Sequence, residues 1–189
     1  MAQSQAKVER VQTPGALVWL DLEMTGLDAQ TDVILQAAVI VTTPNLQPLE
    51  QYVCDVWQPD AALSRMGPFV RDMHEKNGLL TRVRASKVEL RDCEKALLEI
   101  VSGWCAYPAT LCGNSIGQDK RFVDRWMPGL AAYLSYRLVD VSSIKVLART
   151  WYGETSVYPK PEEGAHDALF DVQQSIAELA HYRATLFVR

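Results

Sequence analysis

Four short stretches place acids, and one of them a histidine, where an element ends or begins. Asp21 and Glu23 follow the apolar run ALVWL, Asp119 ends GNSIGQD, Asp140 lies in LVDV, and His166 and Asp171 bracket HDALFD. Residues two apart on a strand point the same way, so Asp21 and Glu23 project together. Carboxylates that close raise each other's pKa unless something positive compensates. A divalent cation would do so, and so would an arginine or open solvent. Singly, each acid has an ordinary reading: Asp119 as a helix N-terminal acid favoured by the macrodipole, Asp140 as half of an ion pair, His166 as a surface residue. Together they suit one chemistry. Mg²⁺ and Mn²⁺ favour carboxylate oxygens, and two such ions about 3.5–4 Å apart activate water and stabilise the leaving oxygen of a phosphodiester. A neutral histidine beside them takes the proton of the attacking water. Asp21, Glu23, Asp119, Asp171 and His166 meet that requirement.

These side chains need elements to hold them. Ala16–Leu20 is a continuous apolar run, as in a strand buried on both faces. The stretches 33–43 and 51–57 follow at hairpin-like spacing, with Pro44 and Asn45 between them. From Asp92 to Tyr107 apolar residues recur at three and four, the period of an amphipathic helix. Short strands at 109–114 and 138–141 alternate with helical QDKRFVDRWM and SSIKVLARTW, and a last helix starts near Asp167. Strands first, then strands alternating with helices, predict an α/β fold: a mixed sheet with an initial antiparallel meander, flanked by helices. The polar stretch from Gly153 to Ala165 has no periodicity, which suits either a lid or a connector.

The 189 residues fit one domain over 16–189 after a disordered lead-in at 1–15. No apolar run approaches the roughly 20 residues that span a bilayer. The N-terminus lacks a signal-peptide apolar segment, which makes the cytoplasm the expected location. Cys54, Cys93, Cys105 and Cys112 form no C-x-x-C pair, so zinc is not expected and reduced buried thiols are. Net charge is −4 with a pI near 5.4. The basic stripe that grips a long polynucleotide is absent, whereas a very short one held in a pocket does not need it.

The order Asp-x-Glu, Asp, His-x-x-x-x-Asp resembles the DEDDh branch of 3′–5′ exonucleases in the DnaQ-like superfamily. The strings WLDLEMTGLD, CGNSIGQDKRF, SYR, VDVSSIK and LAR are similar to the oligoribonuclease family, from about residue 16 to the C-terminus. The resemblance implies a ribonuclease-H-like fold and a homodimer. It implies 3′-to-5′ hydrolysis of very short RNA, especially 5′-phosphorylated dinucleotides, to nucleoside 5′-monophosphates. Two divalent cations per site, Mg²⁺ or Mn²⁺, go with it. By matching position, Asp21, Glu23 and Asp171 hold the tighter ion, Asp21 and less directly Asp119 the second, and His166 is the general base. Leu27 wedges against the bases, Phe69 stacks on one with His74 nearby, and Ser115, Arg137 and Ser142 cap the 5′ phosphate. Tyr136, a further catalytic residue, and Arg137 act across the dimer interface. Three departures stand out: Gln36 where the family usually has glutamate, Phe170 where it usually has a second acid beside Asp171, and a divergent 65–79 segment. Two other readings remain open at this stage, an exonuclease trimming longer strands and a silent dinucleotide-binding module.

Overall fold

The computed structural model describes residues 9–161 and 167–187. Its sheet is built from β1 (Leu17–Met24), β2 (Ile34–Thr42), β3 (Pro48–Asp55), β4 (Ala109–Gly113) and β5 (Leu134–Asp140), in the order β3-β2-β1-β4-β5. The first three strands form the antiparallel meander, while β4 and β5 run parallel to β1. The mixed α/β sheet expected from the sequence is therefore present.

Alternation along β1 and β2 decides what lies on each face. Val18, Leu20 and Leu22, with Ala37, Val39 and Val41, pack against α4 (Leu90–Trp104), α5 (Gly117–Trp126) and α6 (Pro128–Tyr133). Trp19, Ala38 and Ile40 face the other way, against α7 (Val141–Tyr152) and α8 (Ala168–Thr185). Asp21 and Glu23 continue the Trp19 row, and so point to the face that α8 covers.

Three short helices follow β3: α1 (Asp60–Leu63), α2 (Pro68–Lys76) and α3 (Leu79–Ala85). They enclose a satellite core of Leu35, Leu63, Met66, Leu79, Leu80 and Val83. Part of the expected lead-in is seated on the fold. Arg10 donates twice to Glu50 at 2.8 Å, and the Thr13 N–H donates to the Trp104 carbonyl. A 3₁₀ turn, Glu154–Ser156, interrupts the stretch read as irregular. Among the described residues, no helix is long and apolar enough to cross a membrane.

Candidate active site

The strand β1 runs further than the apolar run alone suggests, and this extension carries the chemistry. Its parallel pairing with β4 ends at Trp19 and Cys112. Beyond that end the Leu22 N–H has a side-chain partner instead, the Asp119 carboxylate at 3.0 Å. A buried amide needs such a partner, and the bond fixes Asp119, in the first turn of α5, beside β1. Across the sheet, α8 starts with Asp167 as its N-cap, accepting from the Phe170 N–H at 3.2 Å. One turn on, Asp171 faces the strand. Ligand oxygens of Asp21, Glu23 and Asp171 lie within 4.8 Å of one another.

Burial and mutual repulsion load this cluster. Burial, then the charges of Asp119, Glu23 and Asp171, hold the Asp21 carboxyl well above the usual carboxylate range, with Lys160 partly offsetting them. Glu23 is pushed up to about 8 by burial and then by Asp171, Asp167 and Asp119. Asp119 rises to about 7, chiefly through burial, against the lowering effect of its bond from Leu22. The Lys160 ammonium sits 2.6 Å from an Asp171 oxygen. Three hard-oxygen donors on one buried spot, balanced by one lysine, fit Mg²⁺ or Mn²⁺. Asp21, Glu23 and Asp171 would hold such an ion, with Asp119 alongside.

Next to the acids a loop carries Leu27. Asp32 builds it, accepting from Thr25 Oγ1 at 3.0 Å and from the Asp28 N–H at 2.9 Å. Gly26 is required there, because a Cβ would stand 2.4 Å from an Asp32 oxygen. Gln118 donates to the Leu27 carbonyl at 2.7 Å and ties this loop to α5. The Leu27 side chain is 72% exposed, which suits a group that meets a base rather than a core.

The other candidates fall into three places. Phe69 on α2 is exposed, whereas His74 on the same helix is fully buried. The His74 Nε2 lies 3.0 Å from the Met24 carbonyl and 4.0 Å from a Glu23 oxygen. A carbonyl only accepts, so Nε2 carries a proton and His74 backs Glu23. On the edge strand β5, Tyr136 is exposed and the Arg137 guanidinium stacks 4.6 Å over its ring. Ser115 and Ser142 do meet. Their hydroxyl oxygens are 3.2 Å apart, and the Ser115 N–H donates to Ser142 Oγ at 2.9 Å. His166 lies outside the described residues.

Two residues around the serines have roles not assigned to them from sequence, which offers Asp140 as half of an ion pair and gives Asn114 no reading. Asp140 caps α7, and one of its oxygens accepts from both the Ser115 and the Ser142 N–H at 2.9 Å. That holds Ser115 at a φ of 51°, a left-handed value unusual for a side chain with a Cβ. Asn114 donates to Ser175 and to the fully buried Glu178, so its oxygen is left to accept from Ser142 Oγ at 3.0 Å. Lys160, in a stretch without periodicity, gave no signal beyond its charge.

A mixed sheet with an acid cluster where β1 meets α8 is the arrangement an exonuclease needs, and the exonuclease family RNase_T matches residues 18–179. Exonuclease I of Methylocaldum szegediense superposes with a TM-score of 0.72 at 19% identity, over 90% of this chain and 41% of that one. E. coli exonuclease I in complex with a dA13 oligonucleotide gives 0.71 at 15% identity, over 90% and 40%. The chain thus spans about two fifths of those proteins, and the likeness establishes the ribonuclease-H-like fold.

Sequence relatives narrow the class. Oligoribonuclease of Corynebacterium glutamicum is 47% identical over 91% of this chain and 80% of its own length. Oligoribonuclease of Photorhabdus laumondii is 46% identical over 88% and 93%. The chain belongs to the oligoribonuclease family, and it is a metal-dependent 3′–5′ exonuclease, a phosphodiester hydrolase.

Proposed function

We propose that this exoribonuclease degrades very short RNA, above all 5′-phosphorylated dinucleotides, to nucleoside 5′-monophosphates, using two divalent ions. The observation that carries the reading is the pairing of the Asp21–Glu23–Asp171 cluster with a neighbouring polar corner. That corner is Ser115 and Ser142, locked by Asp140 and suited to a terminal phosphate. When bound, the ions supply an activated water and neutralise charge on the leaving oxygen. Asp21, Glu23 and Asp171 hold the metal end and Asp119 fixes β1. His166 is assigned the proton of the attacking water. Leu27 meets a base, with Phe69 as a second base contact. His74 serves by backing Glu23. A site closed over both ends of a dinucleotide needs no basic track, in keeping with the net charge of −4.

The dimer belongs to the same proposal. On the edge strand and the helix after it, Tyr136, Val146, Leu147, Trp151 and Tyr152 are all exposed. A second copy covering that face buries them and brings Tyr136 and Arg137 towards the neighbouring site. Four buried free thiols suit the reducing cytoplasm. The test is a cleavage time course on 5′-phosphorylated RNA of about two, seven and twenty nucleotides, with and without the 5′ phosphate. Fast loss of the phosphorylated dinucleotide with the long strand nearly untouched is expected. Faster processing of the long strand overturns the short-RNA reading.

A further inference from the structure

We infer that Gln36 is a positioning residue that sets the first turn of α8, and with it Asp171, against the metal ligands on β1. The inference rests on the metal-site reading above but adds a residue to it. Gln36 is 3% exposed and lies directly across the strand pair from Glu23. On its other side its register partner is Asp55 on β3. The three side chains thus form one row across the sheet, on the face covered by α8.

The amide of Gln36 makes two bonds of opposite polarity. Its Oε1 accepts the Ala168 N–H at 3.0 Å, one of the helix-start amides that no intrahelical carbonyl can satisfy. Its Nε2 donates to Asp55 Oδ1 at 2.7 Å. The other Asp55 oxygen accepts from Arg82 Nε at 3.2 Å. Arg82 also reaches to 3.9 Å from Asp167, the N-cap of α8. One end of the helix is therefore tied to β2 directly and to β3 and α3 through a chain of charged groups. Asp171 sits a single turn beyond, its N–H donating to the Asp167 carbonyl at 2.9 Å. A shift of that turn moves the Asp171 carboxylate relative to Asp21 and Glu23, whose oxygens it must meet.

With Asp55 beside it, this place calls for an amide. The side chain has to donate to a carboxylate on one side and accept from a backbone N–H on the other, which neither a carboxylate nor a hydrocarbon does. A carboxylate at position 36 would also lie between those of Glu23 and Asp55, and like charges side by side on adjacent strands are unfavourable. The polarity can, however, be exchanged. In Gln36→Glu combined with Asp55→Asn, the new carboxylate accepts from Ala168 and from the new amide on β3, whose oxygen still accepts from Arg82.

The experiment measures Mn²⁺ affinity by calorimetry on chelator-stripped protein. Beside it, hydrogen exchange of the amides at 168–171 is followed in the metal-free state. Gln36→Glu is expected to weaken Mn²⁺ binding about tenfold or more and to speed exchange at Ala168, with kcat on a short RNA falling more than KM rises. The double variant is expected to recover Mn²⁺ affinity to within about threefold of the parent. Asp55→Ala, nearer the surface, is a milder probe that does not depend on Gln36→Glu folding. It should weaken Mn²⁺ binding about threefold and also speed exchange at Ala168. If Asp55→Ala leaves both unchanged, or the folded double variant is as impaired as Gln36→Glu alone, Gln36 does not position the helix. Mn²⁺ affinity and amide exchange, the two deciding readouts, involve no RNA, so a parent protein that binds Mn²⁺ without cleaving RNA refutes the proposed function and leaves this test intact.

Discussion

Replacing Glu23 by glutamine should stabilise the metal-free protein and weaken its hold on metal. The Glu23 carboxyl rises from 4.5 to about 8 because burial and the surrounding acids oppose its charge. Its stabilising neutral form is thus retained in the fold up to about pH 8, whereas the unfolded chain ionises near 4.5. Between those values the folded state binds more protons, so stability is full below about 4.5 and falls as pH rises towards 8. At about 1.4 kcal/mol per pH unit the gap amounts to a loss on the order of 5 kcal/mol. For a chain of this size, 1 kcal/mol moves Tm by about 2–4 °C, so the metal-free Tm should drop by roughly 10 °C or more. Asp119, raised to about 7, adds a loss of the same sign at lower pH. The assay is thermal unfolding in EDTA from about pH 5 to 9, a range that spans the Glu23 titration. Glu23→Gln should make the slope shallower, with Asp21 and Asp119 keeping the remainder, and saturating Mn²⁺ should reverse it in the parent by favouring the ionised acids. A metal-free Tm that is level or rises between about pH 5 and 8 refutes the reasoning, as does a Glu23→Gln variant with the parent's slope.

Lys160→Gln removes the ammonium 2.6 Å from Asp171. Calorimetry should show Mn²⁺ binding several-fold tighter, and unfolding in EDTA a lower Tm. Asp140→Ala removes the cap of α7, worth about 1 kcal/mol, and frees Ser115 from its left-handed backbone. Kinetics on dinucleotides with and without a 5′ phosphate should lose most of their preference for the phosphorylated one, while Asp140→Asn, which keeps an acceptor, retains it. Leu27→Ala should raise KM for a dinucleotide several-fold with little change in Tm, since the side chain is mostly exposed.

Much of the site was readable from residue order because alternation and helical period are local. Asp21 and Glu23 two apart had to share a face, and Asp171 one turn into a helix had to meet them once that helix lay on the sheet. The helices missed were α1, α2, α3 and α6, of four to nine residues, and the apolar side chains of the first three pack around Leu35 rather than along a stripe. Their burial is decided by distant partners, which no periodicity records. Lys160 and Gln36 escaped for a related reason. Each gains its meaning from a carboxylate or an amide far along the chain, Asp171 for one and Ala168 for the other. His74 shows the converse, a residue matched to substrate binding that the fold places wholly inside, behind Glu23.

The most direct measurement is single-turnover cleavage of a 5′-phosphorylated RNA dinucleotide by chelator-stripped protein titrated with Mn²⁺, run beside Asp21→Asn. The predicted result is no cleavage in EDTA, a rate that climbs with more than one Mn²⁺ per site, and almost none at any Mn²⁺ concentration in Asp21→Asn. Cleavage that persists in EDTA, or near-parental rates in Asp21→Asn, would contradict the assignment of these carboxylates as the metal site of the reaction.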